Sequence, residues 1–172
     1  AVARGDTLHR DPPLVALWPP RADADEPGWS ARQSLTSPDN AAGVVLEAGA
    51  GGARALLLAD VDSLIELRIA PALPIVVLKV GHHGSGSSSG ARFLVRCDPA
   101  LAVISVGARN RFGHPAPGVL ARLSLTRARL LRTDRDGAVW LEGSDDGVRM
   151  LDWRDGVPRA PPIVVARRAP QP

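Results

Sequence analysis

The sequence predicts a mixed α/β domain, in which strands alternate with helices and include hairpins. Three observations support this prediction. Continuous apolar runs at Ile75–Val80 and Leu101–Val106 contain the β-branched residues typical of strands buried on both faces. Each run leads into a glycine-containing loop and then into a segment with a helical pattern. Two further apolar runs flank the glycines at 49–52, which is typical of a hairpin.

The amino-terminal part is predicted to contain one strand, one long loop and the hairpin. Asp6–Trp18 has the pattern of a turn leading into a short strand, Leu14–Trp18, which two prolines end because proline cannot continue a ladder. The polar residues from Arg21 to Asn40 predict a long loop. The two hairpin runs are Gly43–Ala48 and Arg54–Ala59.

The carboxy-terminal part is predicted to alternate helices and strands. Asp62 or Ser63 can cap a short helix that extends to Arg68. Further helices are predicted at Ala91–Arg96 and Pro117–Leu123, and closing strands at Arg129–Arg132, Ala138–Glu142 and Val148–Trp153. We assign residues 1–153 to one domain and predict that the Pro- and Arg-rich segment 154–172 lacks a fixed structure.

Length and composition exclude several classes of protein. A chain of 172 residues suits one domain, and 45% hydrophobic with 23% charged residues is unlike disordered or fibrous chains. Its apolar runs fall short of the roughly 18 residues that cross a bilayer, so we expect a soluble chain. A single cysteine, Cys97, excludes an internal disulfide framework and a multi-cysteine zinc site, and we expect it to be buried.

The positive charge is concentrated in two segments. Residues 154–172 carry four arginines and one aspartate, which accounts for the whole net charge of +3. Residues 92–135 carry nine arginines against two aspartates, a local charge of +7. A phosphate-bearing ligand could use this second segment. Solvated arginines on helix faces are the equally weighted alternative.

Polar residues that could bind a metal or a substrate follow successive predicted strands. Asp60 comes directly after an apolar run, where it could be a metal ligand or a helix cap. The glycine-flanked pair His82-His83 follows the next strand, and one imidazole could bind a metal while the other supports it or contacts substrate. The loop from Ser85 to Ser89 leads to a helix start, where an anion could bind, although a flexible linker has the same composition.

The third predicted strand end adds cationic and imidazole groups. Its loop contains Arg109, Asn110, Arg111 and His114, and His114 could also be a helix-start residue that the next proline holds. An acid, a histidine pair and an arginine-rich turn at neighbouring strand ends suit metal-assisted hydrolysis of a phosphoester. The sequence has no nucleophile elbow, P-loop or dinucleotide fingerprint, which disfavours other large enzyme classes.

Five segments form a distinctive pattern: Val77–Ser85, Ser88-Ser89, Ile104–Gly107, Asn110–Pro115 and Arg132–Gly137. In order and spacing, over roughly Leu14 to Leu141, they resemble the distal half of the C-terminal metallo-β-lactamase-like domain of ComEC-type competence DNA-uptake channel proteins.

The resemblance implies an αββα sandwich with two divalent metal ions, manganese or zinc, that degrades one DNA strand during transformation. By position, Asp60 would bridge the metals, His83 would ligate one of them and His82 would lie beside it. The implied catalytic residues are Asp60, His82 and His114, and the implied substrate-binding residues are Ser85, Ser88, Arg109, Asn110, Arg111 and His114. The implied partners are single-stranded DNA, the membrane channel of the same polypeptide and the amino-terminal half of the domain, in a bacterial inner membrane.

The chain departs from the family pattern at the first metal ligands. The superfamily uses a His-x-His-x-Asp-His segment, which is absent here, and its Thr-Gly-Asp appears as Leu58-Ala59-Asp60. Either the chain is the carboxy-terminal half of a complete domain, which its start at Ala1 inside the pattern favours, or its lineage has lost the site. We therefore expect no tight metal binding and little nuclease activity from the isolated chain. The alternatives are a non-catalytic module that binds single-stranded DNA and a small-molecule phosphoesterase.

Overall fold

The computed structural model describes residues 1–20, 30–49 and 53–152. Within these residues, nine strands form one seven-stranded sheet and one two-stranded sheet. The seven-stranded sheet contains β1 (Thr7–Arg10), β2 (Pro13–Trp18), β3 (Val45–Ala48), β4 (Ala55–Leu57), β5 (Val77–Lys79), β6 (Leu101–Ile104) and β7 (Arg129–Arg132). The two-stranded sheet contains β8 (Trp140–Ser144) and β9 (Gly147–Leu151).

Short helices connect the strands. They are α1 (Pro38–Ala41), α2 (Ser63–Glu66), α3 (Ala91–Cys97), α4 (Pro117–Ser124) and α5 (Thr133–Asp136), with 3-10 turns at Ala31–Gln33 and Gly81–Gly84. Proline at the first turn of α1 and of α4 suits their starts, because proline has no N–H to leave unpaired there. Asp62 caps α2 by accepting hydrogen bonds from the backbone N–H groups of Leu64 and Ile65.

The strands of the seven-stranded sheet lie side by side in chain order, and the type of pairing changes once along it, at β4. The pairs from β1 to β4 are antiparallel, and those from β4 to β7 are parallel. Helices α2, α3 and α4 make the crossovers that parallel pairing needs. The carboxyl ends of β4, β5, β6 and β7 therefore lie at one edge of the sheet, where ligands collect in open α/β folds.

Alternating side chains of the parallel strands divide the core into two clusters. Leu56, Leu78 and Ala102 face the helices and are fully buried. Val77 and Leu101 face the opposite side, where residues of the β8–β9 hairpin pack against them. Each fully buried Leu or Val stabilises the fold by roughly 1.5–3 kcal/mol relative to an exposed one, so the strand ends are held on a rigid support.

The structure confirms the predicted mixed α/β architecture, the hairpin of β3 and β4, and the two buried parallel strands. It also confirms that Cys97 is buried, and burial raises the pKa of its thiol to about 11. At the predicted anion-binding site in the serine loop (Ser85–Ser89), the N–H groups of Ser89 and Gly90 before α3 donate to the carboxyl oxygens of Glu66. Among the helices of the described residues, none has both the length and the hydrophobicity that a bilayer crossing requires.

Two local predictions are wrong. Thr7–Arg10 is predicted as a turn, but it is a strand that pairs with β2. All four of its residues are exposed, so no alternation of apolar and polar residues marks the strand in the sequence. The predicted loop from Arg21 to Asn40 contains a 3-10 turn and the start of α1, which Ser37 caps by accepting a hydrogen bond from Asn40 N. Residues 21–29 of that loop and the predicted tail 154–172 lie outside the described residues.

Candidate functional site

The candidate site lies where β4 and β5 end. Asp60 follows β4 after two residues, and the histidine pair His82-His83 follows β5 in the turn Gly81–Gly84. Parallel pairing aligns Leu57 with Lys79, so the two chains leave the sheet side by side. The backbone N–H of His82 donates a hydrogen bond of 2.9 Å to the carbonyl of Ala59, which joins the two strand ends directly. This geometry places a carboxylate and two imidazoles together.

Asp60 and His83 face each other across a short gap. The distance from His83 Nε2 to Asp60 Oδ1 is 3.8 Å, and the side chains are 49% and 39% exposed. The other ring nitrogen, Nδ1, lies 2.7 Å from the carbonyl oxygen of Ser105 after β6. A carbonyl accepts only, so Nδ1 carries the proton and Nε2 is directed at the carboxylate. Metal-binding histidines are commonly oriented in this way.

The turn that carries the histidines has an unusual backbone. His82 (φ 45°, ψ 47°) and His83 (φ 55°, ψ 21°) both adopt left-handed conformations, each of which costs about 1–2 kcal/mol for a residue with a side chain. The next residue, Gly84, has a φ of +81°, and a Cβ there would lie 2.7 Å from Pro115 Cβ. The strained turn persists because neighbouring hydrogen bonds hold it, including one from Ser85 N to the His82 carbonyl.

His114 completes a row of imidazoles. Its ring centroid is 5.8 Å from that of His82, which in turn is 6.4 Å from that of His83. Asn110 holds His114 by accepting a hydrogen bond from its backbone N–H (2.9 Å) and by donating one to its carbonyl (2.7 Å). Burial lowers the pKa of His114, and the nearby His82 and His83 lower it further.

Within the described residues, the Nδ1 atoms of His82 and His114 are buried without a hydrogen-bond partner. Buried polar atoms are normally paired, so two unpaired ring nitrogens in one cluster are unusual. The only lysine of the sequence, Lys79, ends β5, and Asp60 is a charged neighbour of it. Burial lowers the pKa of Lys79, and the charge of Asp60 partly opposes this shift. Sequence reasoning did not select Lys79 as a site residue.

The serine side chains of the predicted site make contacts within their own loop. The Ser85 hydroxyl lies 3.1 Å from that of Ser87. Ser88 is fully buried and donates its hydroxyl to the carbonyls of Gly81 (2.8 Å) and Ser85 (3.0 Å), so this hydroxyl is used inside the loop. Arg109 and Arg111 are exposed on the loop that carries His114.

Three arginines of the basic segment 92–135 are used within the fold. Arg96 donates to the carbonyls of Glu66 and Ile69, and Arg132 forms an ion pair of 2.5 Å with Asp134. Arg122 of α4 donates to the carbonyls of Ser88 and Ser89 at 2.8 Å. Arg122 thereby supports the loop from Ser85 to Ser89, while Arg96 and Arg132 are bonded elsewhere in the fold. Arg111 lies close to the imidazoles, because its guanidinium is over the ring of Phe112, which stacks on His114.

The donor chemistry fits part of a divalent metal site. Ligand atoms bound to one tetrahedral zinc lie roughly 3.3 Å apart, so Asp60 Oδ1 and His83 Nε2 could both bind one ion after a small adjustment. Asp60 is available for this because Asp62, and not Asp60, caps α2. In the part of the chain that the structure describes, however, no group of three or more His, Cys, Asp or Glu side chains could hold a metal ion.

Comparisons with curated proteins identify three relatives. ComE operon protein 3 of Bacillus subtilis is 38% identical over 142 residues, which cover 80% of this chain and 17% of the relative. Competence protein ComA of Neisseria gonorrhoeae is 37% identical over 115 residues, covering 64% of this chain and 17% of the relative. Recombination protein 2 of Haemophilus influenzae is 33% identical over 106 residues, covering 61% and 14%.

No protein-family model matches the chain, and no solved structure matches it at a significant level. The chain spans about a sixth of the length of the curated relatives that it matches. The similarity extends over most of the chain and includes relatives from three bacteria. The chain is therefore related to one segment of much longer competence proteins.

Proposed function

We propose that the chain is part of a metallo-β-lactamase-like domain that hydrolyses phosphodiester bonds of DNA, with a divalent metal, during competence DNA uptake. The observation that carries this proposal is the convergence of Asp60 and His83 from neighbouring parallel strands, at 3.8 Å. Asp60 makes no helix cap, and the Ser105 carbonyl orients His83. The names of the relatives favour a role in competence.

Asp60 and His83 would hold the metal through Oδ1 and Nε2. A divalent ion supplies Lewis-acid activation of water and neutralises phosphate charge. The Ser105 carbonyl keeps the His83 proton on Nδ1 and so leaves Nε2 free to bind. Two donors are too few for a tight site, so the remaining ligands must come from polypeptide beyond the described residues. We accordingly expect the isolated chain to bind metal weakly and to cleave DNA little.

The substrate assignment depends on charge beside the imidazoles. Arg109 and Arg111 are exposed on the loop from Gly107 to Pro115, and a guanidinium recognises phosphate through paired N–H donors. Similarity to competence proteins favours DNA over a small phosphodiester. In the longer protein, this domain would act beside a channel in the bacterial membrane and receive one strand of the incoming DNA.

One observation favours a second function, the binding of single-stranded DNA without cleavage. The described residues contain no metal site with three or more ligands, yet they present two arginines on one exposed loop. A module of this kind would position the strand by its phosphates alone. The two functions make opposite predictions for the effect of Asp60 on DNA cleavage.

The deciding experiment uses the full-length protein with single-stranded DNA and Mn²⁺. The hydrolase proposal predicts that Asp60→Ala abolishes cleavage and leaves DNA binding unchanged. Asp145→Ala, which removes an exposed carboxylate in the turn between β8 and β9, is the matched control and should cleave as the wild type does. Cleavage that persists in Asp60→Ala, or that is absent from the wild type, would reject the hydrolase and leave the binding module. Faster turnover of a nucleotide-like diester than of DNA would indicate a small-molecule phosphoesterase.

The 172-residue chain provides a second test by NMR. Mn²⁺ should broaden the resonances of His83 and its neighbours in the wild type and much less in Asp60→Asn, because one of the two donors is then neutral. Equal broadening in both proteins would show that Asp60 does not bind the ion.

A further inference from the structure

An exposed aromatic side chain lies on the loop beside the candidate site. Phe112 is 71% exposed, although burying such a ring would remove a large apolar area from water. The guanidinium of Arg111 lies over this ring at 5.5 Å from its centroid. The ring of His114 stacks on it, with a centroid distance of 6.0 Å and an interplanar angle of 22°. Phe112 therefore contacts polar side chains of its own loop and is not part of the core.

Hydrogen bonds within the loop fix the position of Phe112. Asn110 donates to the carbonyls of Gly107 (3.1 Å) and His114 (2.7 Å), and accepts from His114 N (2.9 Å). These bonds close the segment on both sides of the phenylalanine. A ring presented by a pre-ordered loop loses little entropy when a ligand stacks on it.

The aromatic rings form a continuous row from the solvent to the strand ends. Phe112 stacks on His114, and His114 contacts His82 edge to face at a centroid distance of 5.8 Å. His82 adjoins His83, whose Nε2 faces Asp60. A ligand on Phe112 would therefore extend from a stacking surface towards the carboxylate–imidazole pair, with Arg109 and Arg111 on the same loop.

We propose that Phe112 stacks on an unpaired nucleobase of the strand, while Arg109 and Arg111 contact the adjoining phosphates. This inference rests on the proposed DNA substrate and adds to it a residue that selects single strands. In a duplex, stacking neighbours cover the faces of the bases, whereas an unpaired base can offer its face to an aromatic ring. Every base has such a face, so the selection would tolerate any sequence.

The test measures the affinity of the purified chain for fluorescent oligonucleotides by anisotropy, across a range of salt concentrations. Phe112→Leu keeps an apolar side chain and removes the ring, so affinity for oligo(dT) should fall roughly 5- to 100-fold. The slope of log affinity against log salt should stay unchanged, because no charge is lost. Arg111→Gln should reduce that slope by about 0.7 for one lost phosphate contact. Phe112→Trp keeps an aromatic ring, so it should bind oligo(dT) about as tightly as the wild type does.

Controls separate stacking from general surface effects. Leu125→Ala removes a side chain that is 89% exposed and should bind as the wild type does. A hairpin duplex should bind the wild type more weakly than oligo(dT), and Phe112→Leu should remove most of that preference. Parallel titrations with oligo(dT) and oligo(rU) distinguish DNA from RNA as the source of the base, and tighter binding of oligo(dT) supports the proposal.

The outcomes distinguish this inference from the hydrolase proposal. Equal affinity of wild type and Phe112→Leu for oligo(dT) would overturn the stacking role, whatever Asp60→Ala does to cleavage. Loss of affinity in Phe112→Leu together with cleavage that is independent of Asp60 would retain the stacking role and reject the hydrolase. A wild type that prefers oligo(rU) or duplex would also overturn the inference.

Discussion

The carboxyl group of Glu66 makes stability depend on pH in a way that can be measured. Glu66 lies on α2 with a fully buried side chain, and its oxygens accept hydrogen bonds from the N–H groups of Ser89 (2.6 Å) and Gly90 (2.8 Å). Burial raises its pKa to about 7 and the charge of Asp62 adds to the rise, whereas the two hydrogen bonds and Arg122 oppose it. The carboxylate thus pins the serine loop that follows the histidine turn.

The sign of the effect follows from proton linkage. The pKa of Glu66 is about 7 in the folded state, against 4.5 for an unperturbed side chain, so between these values the folded state binds the extra proton. The free energy of unfolding should then fall as pH rises. Integration between about pH 5 and pH 8 gives a loss of roughly 2–3 kcal/mol from this group.

Urea unfolding of wild type and Glu66→Gln at several pH values isolates the contribution. Glutamine has the same shape and does not titrate, so other ionisable groups cancel in the difference between the two proteins. We expect Glu66→Gln to be the less stable protein at low pH and to approach or exceed the wild type by about pH 8. A difference that stays constant with pH would show that Glu66 titrates normally and would refute the reasoning.

Two stability predictions concern left-handed positions. Ala59 has a φ of 48°, and Ala59→Gly should raise the free energy of unfolding by roughly 0.5–1 kcal/mol, because relief of about 1–2 kcal/mol of strain exceeds the entropy cost of glycine; a less stable variant in urea unfolding would contradict this. Gly84→Ala should lower it by more than about 2 kcal/mol, because the new Cβ meets Pro115 Cβ at 2.7 Å in a left-handed backbone. Wild-type stability and unshifted His83 resonances in Gly84→Ala would show that the turn rearranges freely.

Much of the fold could be predicted from local pattern. The apolar run of β5, the cap of α2 and the glycine-marked hairpin are each encoded within a few residues, so their positions agree with the structure to within a few residues. β1 could not be predicted, since all its side chains are exposed and its backbone pairing depends on a partner elsewhere in the chain.

The sequence predicts which polar residues follow the strands at the candidate site, but not how their side chains are arranged. Residue order placed Asp60, His82, His83 and His114 after successive strands, and the structure brings them to one edge of the sheet. Spacing along the chain carries no signal that Ser88 turns inward or that Ser105 orients His83. The position of Phe112 directly after Arg111 in a polar segment is visible in the sequence, but its 71% exposure is known only from the structure.

By itself, the sequence determined the alternation of strands and helices, the strand ends that carry polar groups and the relation to competence proteins. These properties depend on local residue pattern. Only the tertiary structure decided which imidazole faces Asp60 and how Phe112 is presented. Such choices depend on distances of a few ångströms between residues far apart in the chain, and packing of the parallel strands sets those distances.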